Sequence, residues 1–190
     1  MDSNPTQTQS LPSNPPKKHQ NLKLVPLSIT EHLDDFWEIW REERGVIWST
    51  GVFEICFTED GAESGGRGDR PKCVGFVGTN RPSPEGLEMG YCVNPDYYGN
   101  GYATWGVTEF LKVYWGMEER SHISHLVAKI DPRNKASERI IAKVGARKGE
   151  VLENFYSRII DEGKLSDIRC WYLDRPGVGR SGEGKGEEGR

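Results

Sequence analysis

The stretch Leu87–Glu119, LEMGYCVNPDYYGNGYATWGVTEFLKVYWGMEE, constrains the fold more than any other part of the chain. An apolar strand-like run ends at Asn94-Pro95, where proline removes a ladder donor and favours a turn. Past Tyr98-Gly99-Asn100-Gly101, an amphipathic run from Tyr102 carries Val107, Phe110, Leu111, Tyr114 and Met117 on one side at helical spacing. Gly99 and Gly101 have no Cβ, so consecutive backbone N–H groups can turn toward one point. The helix start adds its unpaired donors at Tyr102, Ala103 and Thr104 and the positive end of its dipole. That point is a candidate anion site, able to take a pyrophosphate without a lysine. The plain alternative is a tight strand-to-helix turn that binds nothing.

No Gly-Lys-Ser/Thr follows, which disfavours a P-loop, and the third glycine of a dinucleotide fingerprint is missing. The 190 residues suit one domain with tails, long enough to bury about two-thirds of the unfolded surface. Apolar spacing predicts an alternating α/β order. A strand at Leu22–Pro26 precedes a helix in which Leu33, Phe36, Trp37 and Trp40 recur at helical intervals. Val52–Phe57 and Lys72–Thr79 read as a hairpin around the polar loop 59–70, followed by a strand at Leu87–Val93 and a helix over 102–119. His125–Ile130 is a further strand. The helix expected over 134–144 turns Ala136, Ile140, Ile141 and Val144 inward, with Gly145 at a left-handed cap. Val151–Tyr156 and Ile168–Leu173 form a last antiparallel pair. Residues 1–21, rich in Pro, Ser, Asn and Gln, and 177–190, rich in Gly and charge, are expected to be disordered tails flanking a domain at 22–176.

A net charge of −4 provides no global basic field, so neither nucleic acid nor an anionic membrane is expected as a partner. No apolar run reaches the roughly 18 residues of a membrane span, and the polar N-terminus lacks a signal-peptide core, so a soluble cytoplasmic protein is expected. Cys56, Cys73, Cys92 and Cys170 are far apart with no C-x-x-C spacing, which predicts reduced core thiols and no metal site.

The segment LEMGYCVNPDYYGNGYATWGVTEFL, followed by DPRNKASERIIAKVGA, resembles the GNAT acetyltransferases, in particular the branch of ribosomal-protein N-terminal alanine acetyltransferases, over about Leu22 to Pro176. The family's turn reads Gln/Arg-x-x-Gly-x-Gly/Ala, and Tyr98, Gly101 and Ala103 stand at those three positions. Tyr98 is a departure, though the main-chain cradle needs only the glycines. The resemblance implies a strongly twisted mixed α/β sheet whose strands Leu87–Val93 and His125–Ile130 splay apart, with acetyl-CoA in the gap as acetyl donor and an amine as acceptor. It also implies a helix between the first helix and the hairpin, where only Gly45–Thr50 is available, and a general-acid tyrosine where Ile141 stands.

Direct attack of an amine on a thioester asks the protein to position both, polarise the carbonyl and move protons, with no metal and no covalent nucleophile. Main-chain N–H groups at Cys92 to Val93 are the expected carbonyl partners. Asn134 and Ser137, three residues apart on one helix face, are expected along the cofactor, with Ser137 as acid in place of the missing tyrosine. They also read as a helix N-cap and an early-turn residue. Glu88 is the candidate base or water-holder, or else a solvent-facing strand residue. The Cys92 thiol is expected to be packed. Tyr97, Tyr98 and Trp105 stand beside the turn, and Arg139 and Lys143 are candidates to reach the 3′-phosphate of CoA, or else solvated charges of an exposed helix face. Three functions fit: acetylation of a protein N-terminus, acetylation of a small-molecule amine, or acyl-CoA binding without turnover.

Overall fold

The computed structural model describes residues 19–41, 55–59, 71–157 and 163–177; of residues 29, 55–57 and 59 only the backbone is described. Seven strands pair into one sheet: β1 Leu22–Pro26, β2 Ile55–Glu59, β3 Lys72–Ser83, β4 Gly86–Val93, β5 His125–Ile130, β6 Arg147–Tyr156 and β7 Ser166–Asp174. Their order is β1-β2-β3-β4-β5-β7-β6. Every neighbouring pair is antiparallel except β4 and β5, so the sheet is mixed as expected. The expected hairpin is present as β2 and β3. Its anticipated start at Val52, the loop and the short Gly45–Thr50 connection lie outside the described residues.

Among the described residues three helices cover the sheet: α1 Ile29–Arg41, α2 Tyr102–Gly116 and α3 Lys135–Lys143. The β2–β3 register shifts between Phe57 and Thr58, whose partners are Gly75 and Cys73, and Val74 is the extra residue of the bulge. Across it, Cys73 and Phe76 pack with α1, while Val74 and Val77 join the larger core with Val107, Phe110 and Ile141. α2 stops at Gly116, short of the expected Glu119, and Glu118–Arg120 forms a separate 3-10 turn.

α1 packs part of its expected apolar set: Phe36 and Trp40 lie against the sheet, and Leu33 and Trp37 do not. Leu33 and Trp37 are 55% and 64% exposed, while Phe36, Ile39 and the polar Asp35 face the sheet. Asp35 Oδ2 accepts the Cys73 N–H at 3.0 Å, and Phe36 lies 4.8 Å from the Phe76 ring. A buried strand N–H at the bulge needs an acceptor, and meeting that need sets the rotation of the helix along with its apolar residues. Cys73, Cys92 and Cys170 are buried and reduced. Among the described residues no helix is long and apolar enough to cross a membrane.

Candidate active site

β4 and β5 pair at only two positions, Leu87 with Leu126 and Glu88 with Val127. Beyond them the strands part, and a cleft of about 510 Å³ opens between the far halves of β4 and β5, the start of α2 and one face of α3. All the site residues expected from sequence line it except Asn100.

At one end, Gly99 and Gly101 have φ of 77° and 81°, the left-handed region in which a side chain is strained. Gly101 is the N-cap of α2 and supplies no side-chain cap, and the first turn of the helix holds no acidic residue. The N-cap therefore supplies no side-chain acceptor to the N–H groups of the first turn. Arg139 and Lys143 of α3 line the same cleft. This donor set and its positive flank suit a pyrophosphate. Tyr97 and Tyr98 line the cleft, whereas Trp105 is buried in the core. Asn100 belongs to the back of the turn: its Nδ2 donates to Tyr97 O at 3.2 Å and closes the loop.

Of the two expected carbonyl partners, only the Val93 N–H turns toward the gap, and there it also contacts the Cys92 thiol. Asn94 N–H donates to Val74 O at 2.9 Å, and Val93 stands opposite Gly75. Strand alternation then sends the Cys92 N–H to Phe76 on β3 and turns the Val93 N–H the other way, toward β5. Burial pushes the Cys92 thiol up to about 12, which leaves it protonated and unreactive at neutral pH.

α3 begins as its spacing suggests: Asn134 Oδ1 accepts the Ser137 N–H at 3.1 Å and caps the helix. Ser137 Oγ makes no hydrogen bond to another described residue. Ile141 is fully buried in the core and leaves the usual acid position apolar. Tyr91 of β4, which the sequence did not single out, lines the cleft and donates its hydroxyl to Ser137 O at 3.3 Å. Burial raises its phenol to about 12, so it is a permanent donor there.

The opposite end is ionic. Glu88 is buried at 6% exposure and contacts Lys129 Nζ at 2.9 Å and Arg81 Nε at 3.3 Å, so it is neither solvent-facing nor an isolated carboxylate. Lys129 also meets Glu85 at 2.7 Å and lies 4.6 Å over the Phe155 ring. Burial opposes its charge, yet the two carboxylates win and raise its pKa above the ordinary value. Beside it Asp131 holds Arg133 and the Tyr156 hydroxyl; burial would raise its carboxyl, but these partners lower it. Lys129 and Tyr156 belong to no sequence motif, whereas Asp131 and Arg133 open the segment DPRNKASERIIAKVGA.

The family profile of the acetyltransferase (GNAT) domain matches residues 3–147. The chain belongs to the GNAT acetyltransferase family. Solved structures of the same fold include a ribosomal-protein-S5-alanine acetyltransferase from Vibrio fischeri, with a TM-score of 0.64 at 11% identity, covering 83% of this chain and 95% of that one. RimJ of Mycobacterium smegmatis, in complex with CoA-disulfide, gives 0.63 at 15% identity, covering 84% and 85%. A GNAT-family acetyltransferase from Bacillus anthracis gives 0.63 at 17%, covering 82% and 96%. No curated protein sequence matches the chain. In the GNAT fold seen here, the splayed pair is β4 and β5 and the glycine turn leads into α2.

Proposed function

We propose that this GNAT protein transfers the acetyl group of acetyl-CoA to a primary amine by direct attack in a ternary complex, with a protein N-terminus as the acceptor class. One observation carries the reading: the glycine turn without a side-chain cap, the Val93 main chain and Ser137 all line a single cleft between diverging strands. The bound donor supplies a thioester carbonyl. Val93 N–H polarises its oxygen, where negative charge develops as the amine nitrogen bonds to carbon. The carbon–sulfur bond then breaks. Ser137 Oγ–H protonates the departing thiolate, and solvent restores the serine proton. Glu88, with both oxygens on cations, holds the water that takes the proton lost by the amine. Asn134 orders the start of α3 and with it Ser137. The acceptor class rests on the resemblance to ribosomal-protein alanine acetyltransferases.

The test is thermal shift and calorimetry with acetyl-CoA, followed by release of free thiol over a panel of N-terminal peptides and small amines. Stabilisation by acetyl-CoA with thiol release on peptides is expected. Release on small amines alone would move the acceptor to that class. Binding without release across the panel would make the protein an acyl-CoA-binding module, and absence of binding would overturn the proposal.

A further inference from the structure

His19 belongs to the segment whose composition predicts a tail, yet its ring sits on the glycine turn. His19 Nε2–H donates to Asn100 O at 2.8 Å; the acceptor is a carbonyl, so this nitrogen carries the proton. The ring meets Tyr102 edge-on at 5.7 Å and 78°, and a Cβ at Gly101 would lie 3.4 Å from it. Gly101 lines the cleft whereas Asn100 does not, so His19 holds the face of the turn that points away from the cleft.

The Asn100 carbonyl and the Gly101 N–H belong to one peptide unit. No peptide in the described chain is cis, and in a trans unit C=O and N–H point in opposite directions. A hydrogen bond that fixes the carbonyl behind the turn therefore aims the Gly101 N–H into the cleft. The aim needs fixing, because Gly101 without a Cβ accepts the flipped peptide as readily as this one. A bonded carbonyl also polarises its own N–H into a stronger donor.

We infer that His19 is a positioning residue for the phosphates of the acyl donor: it locks the Asn100–Gly101 peptide so that the Gly101 N–H is presented to the pyrophosphate. This rests on the acetyl-CoA reading above. Loss of one such hydrogen bond implies roughly a 3- to 10-fold weaker donor complex.

Two variants separate the hydrogen bond from the packing. His19→Phe keeps a ring against Tyr102 and removes the N–H, and His19→Gln restores an N–H without the ring. In the full chain, His19→Phe should raise the acetyl-CoA dissociation constant and KM by roughly 3- to 10-fold with kcat unchanged. Its ligand-free melting temperature should match the parent's, and His19→Gln should recover most of the affinity. The Gly101 amide resonance of the ligand-free protein should shift in His19→Phe and move back in His19→Gln. Parent-like affinity in His19→Phe, or an equal loss in both variants, overturns the inference. The Gly101 resonance needs no ligand: if it responds while the parent fails to bind acetyl-CoA, the donor assignment is at fault and not the turn geometry.

Discussion

Gly101 and Ser137 serve the same cleft under opposite constraints. Gly101 must have no side chain, since its φ of 81° strains any Cβ and the anion is to sit against its N–H. Gly101→Glu adds backbone strain and a negative charge at that point, and acetyl-CoA binding measured by calorimetry should weaken by about 2 to 5 kcal/mol. Ser137 must have its hydroxyl, but only for the step in which charge reaches sulfur. Ser137→Ala should lower single-turnover acetyl transfer at saturating acetyl-CoA by about ten- to a thousand-fold while affinity changes little. Equal rates would leave Tyr91, whose hydroxyl reaches Ser137 O, or water as the donor. Asn134→Ala removes the cap bond to Ser137 N–H, so it should cost about 1 kcal/mol of stability in urea unfolding and raise the acetyl-CoA dissociation constant as well.

At the scale of elements, the end of α2 depends on a residue far away in sequence. Arg175, just after β7, donates Nη1 to Trp115 O at 2.9 Å and Nε to Ile123 O at 2.8 Å, and its guanidinium also reaches Arg120 O. It stacks 4.6 Å over the Trp115 ring. One side chain thus satisfies carbonyls at a helix C-terminus, where a cation is also favoured by the dipole. Arg175→Ala should destabilise the protein by about 2 to 4 kcal/mol, seen as a lower urea midpoint at unchanged slope. Arg175→Lys should recover only part of this, because a single ammonium cannot fork to three carbonyls. At the opposite end of α2, which carries the candidate anion site, the N-cap glycine supplies no side-chain bond, and the fastening is the His19 bond to Asn100 O.

Over the whole molecule, partly buried ion pairs, one of which ties α1 to the sheet, make stability respond to pH. Glu38 of α1 pairs with Lys72 at 2.7 Å and accepts from Asn94 at 3.0 Å; burial would raise its carboxyl, but these partners lower it below 4.5. Asp131 is likewise lowered below 3.8. A folded pKa below the unfolded one gives stability that is present above the unfolded value and lost as pH falls through the folded value. Melting temperature should therefore hold near neutrality and drop as pH falls below about 4.5, with Glu38→Gln giving a shallower decline. Lys129, raised above 10.5, acts in the other direction: its contribution is complete below 10.5 and fades as pH rises beyond it. For the chain ends, removing 1–18 and 178–190 should leave melting and acetyl-CoA affinity nearly unchanged, since their composition offers little to bury. Extending the first deletion through Gln20 should weaken binding by removing His19.

The sequence by itself determined the order of the elements, the glycine turn ahead of α2 and the capped start of α3. These depend on neighbours a few residues apart: glycine at positive φ, proline at a strand end, Asn three residues before Ser at a helix start. It also carried the GNAT likeness, because the turn and the α3 segment are local motifs. Only the tertiary structure decided that Val93 and not Cys92 turns its N–H to the gap, since that direction follows from the register with β3. It alone placed Lys129 and Arg81 on Glu88, left Leu33 and Trp37 of α1 exposed while Asp35 and Ile39 turned inward, and brought His19 against Asn100 across 81 residues of chain. Each of these is a relation between surfaces that come together only on folding, and no periodicity along the chain encodes which buried polar atom will need which partner.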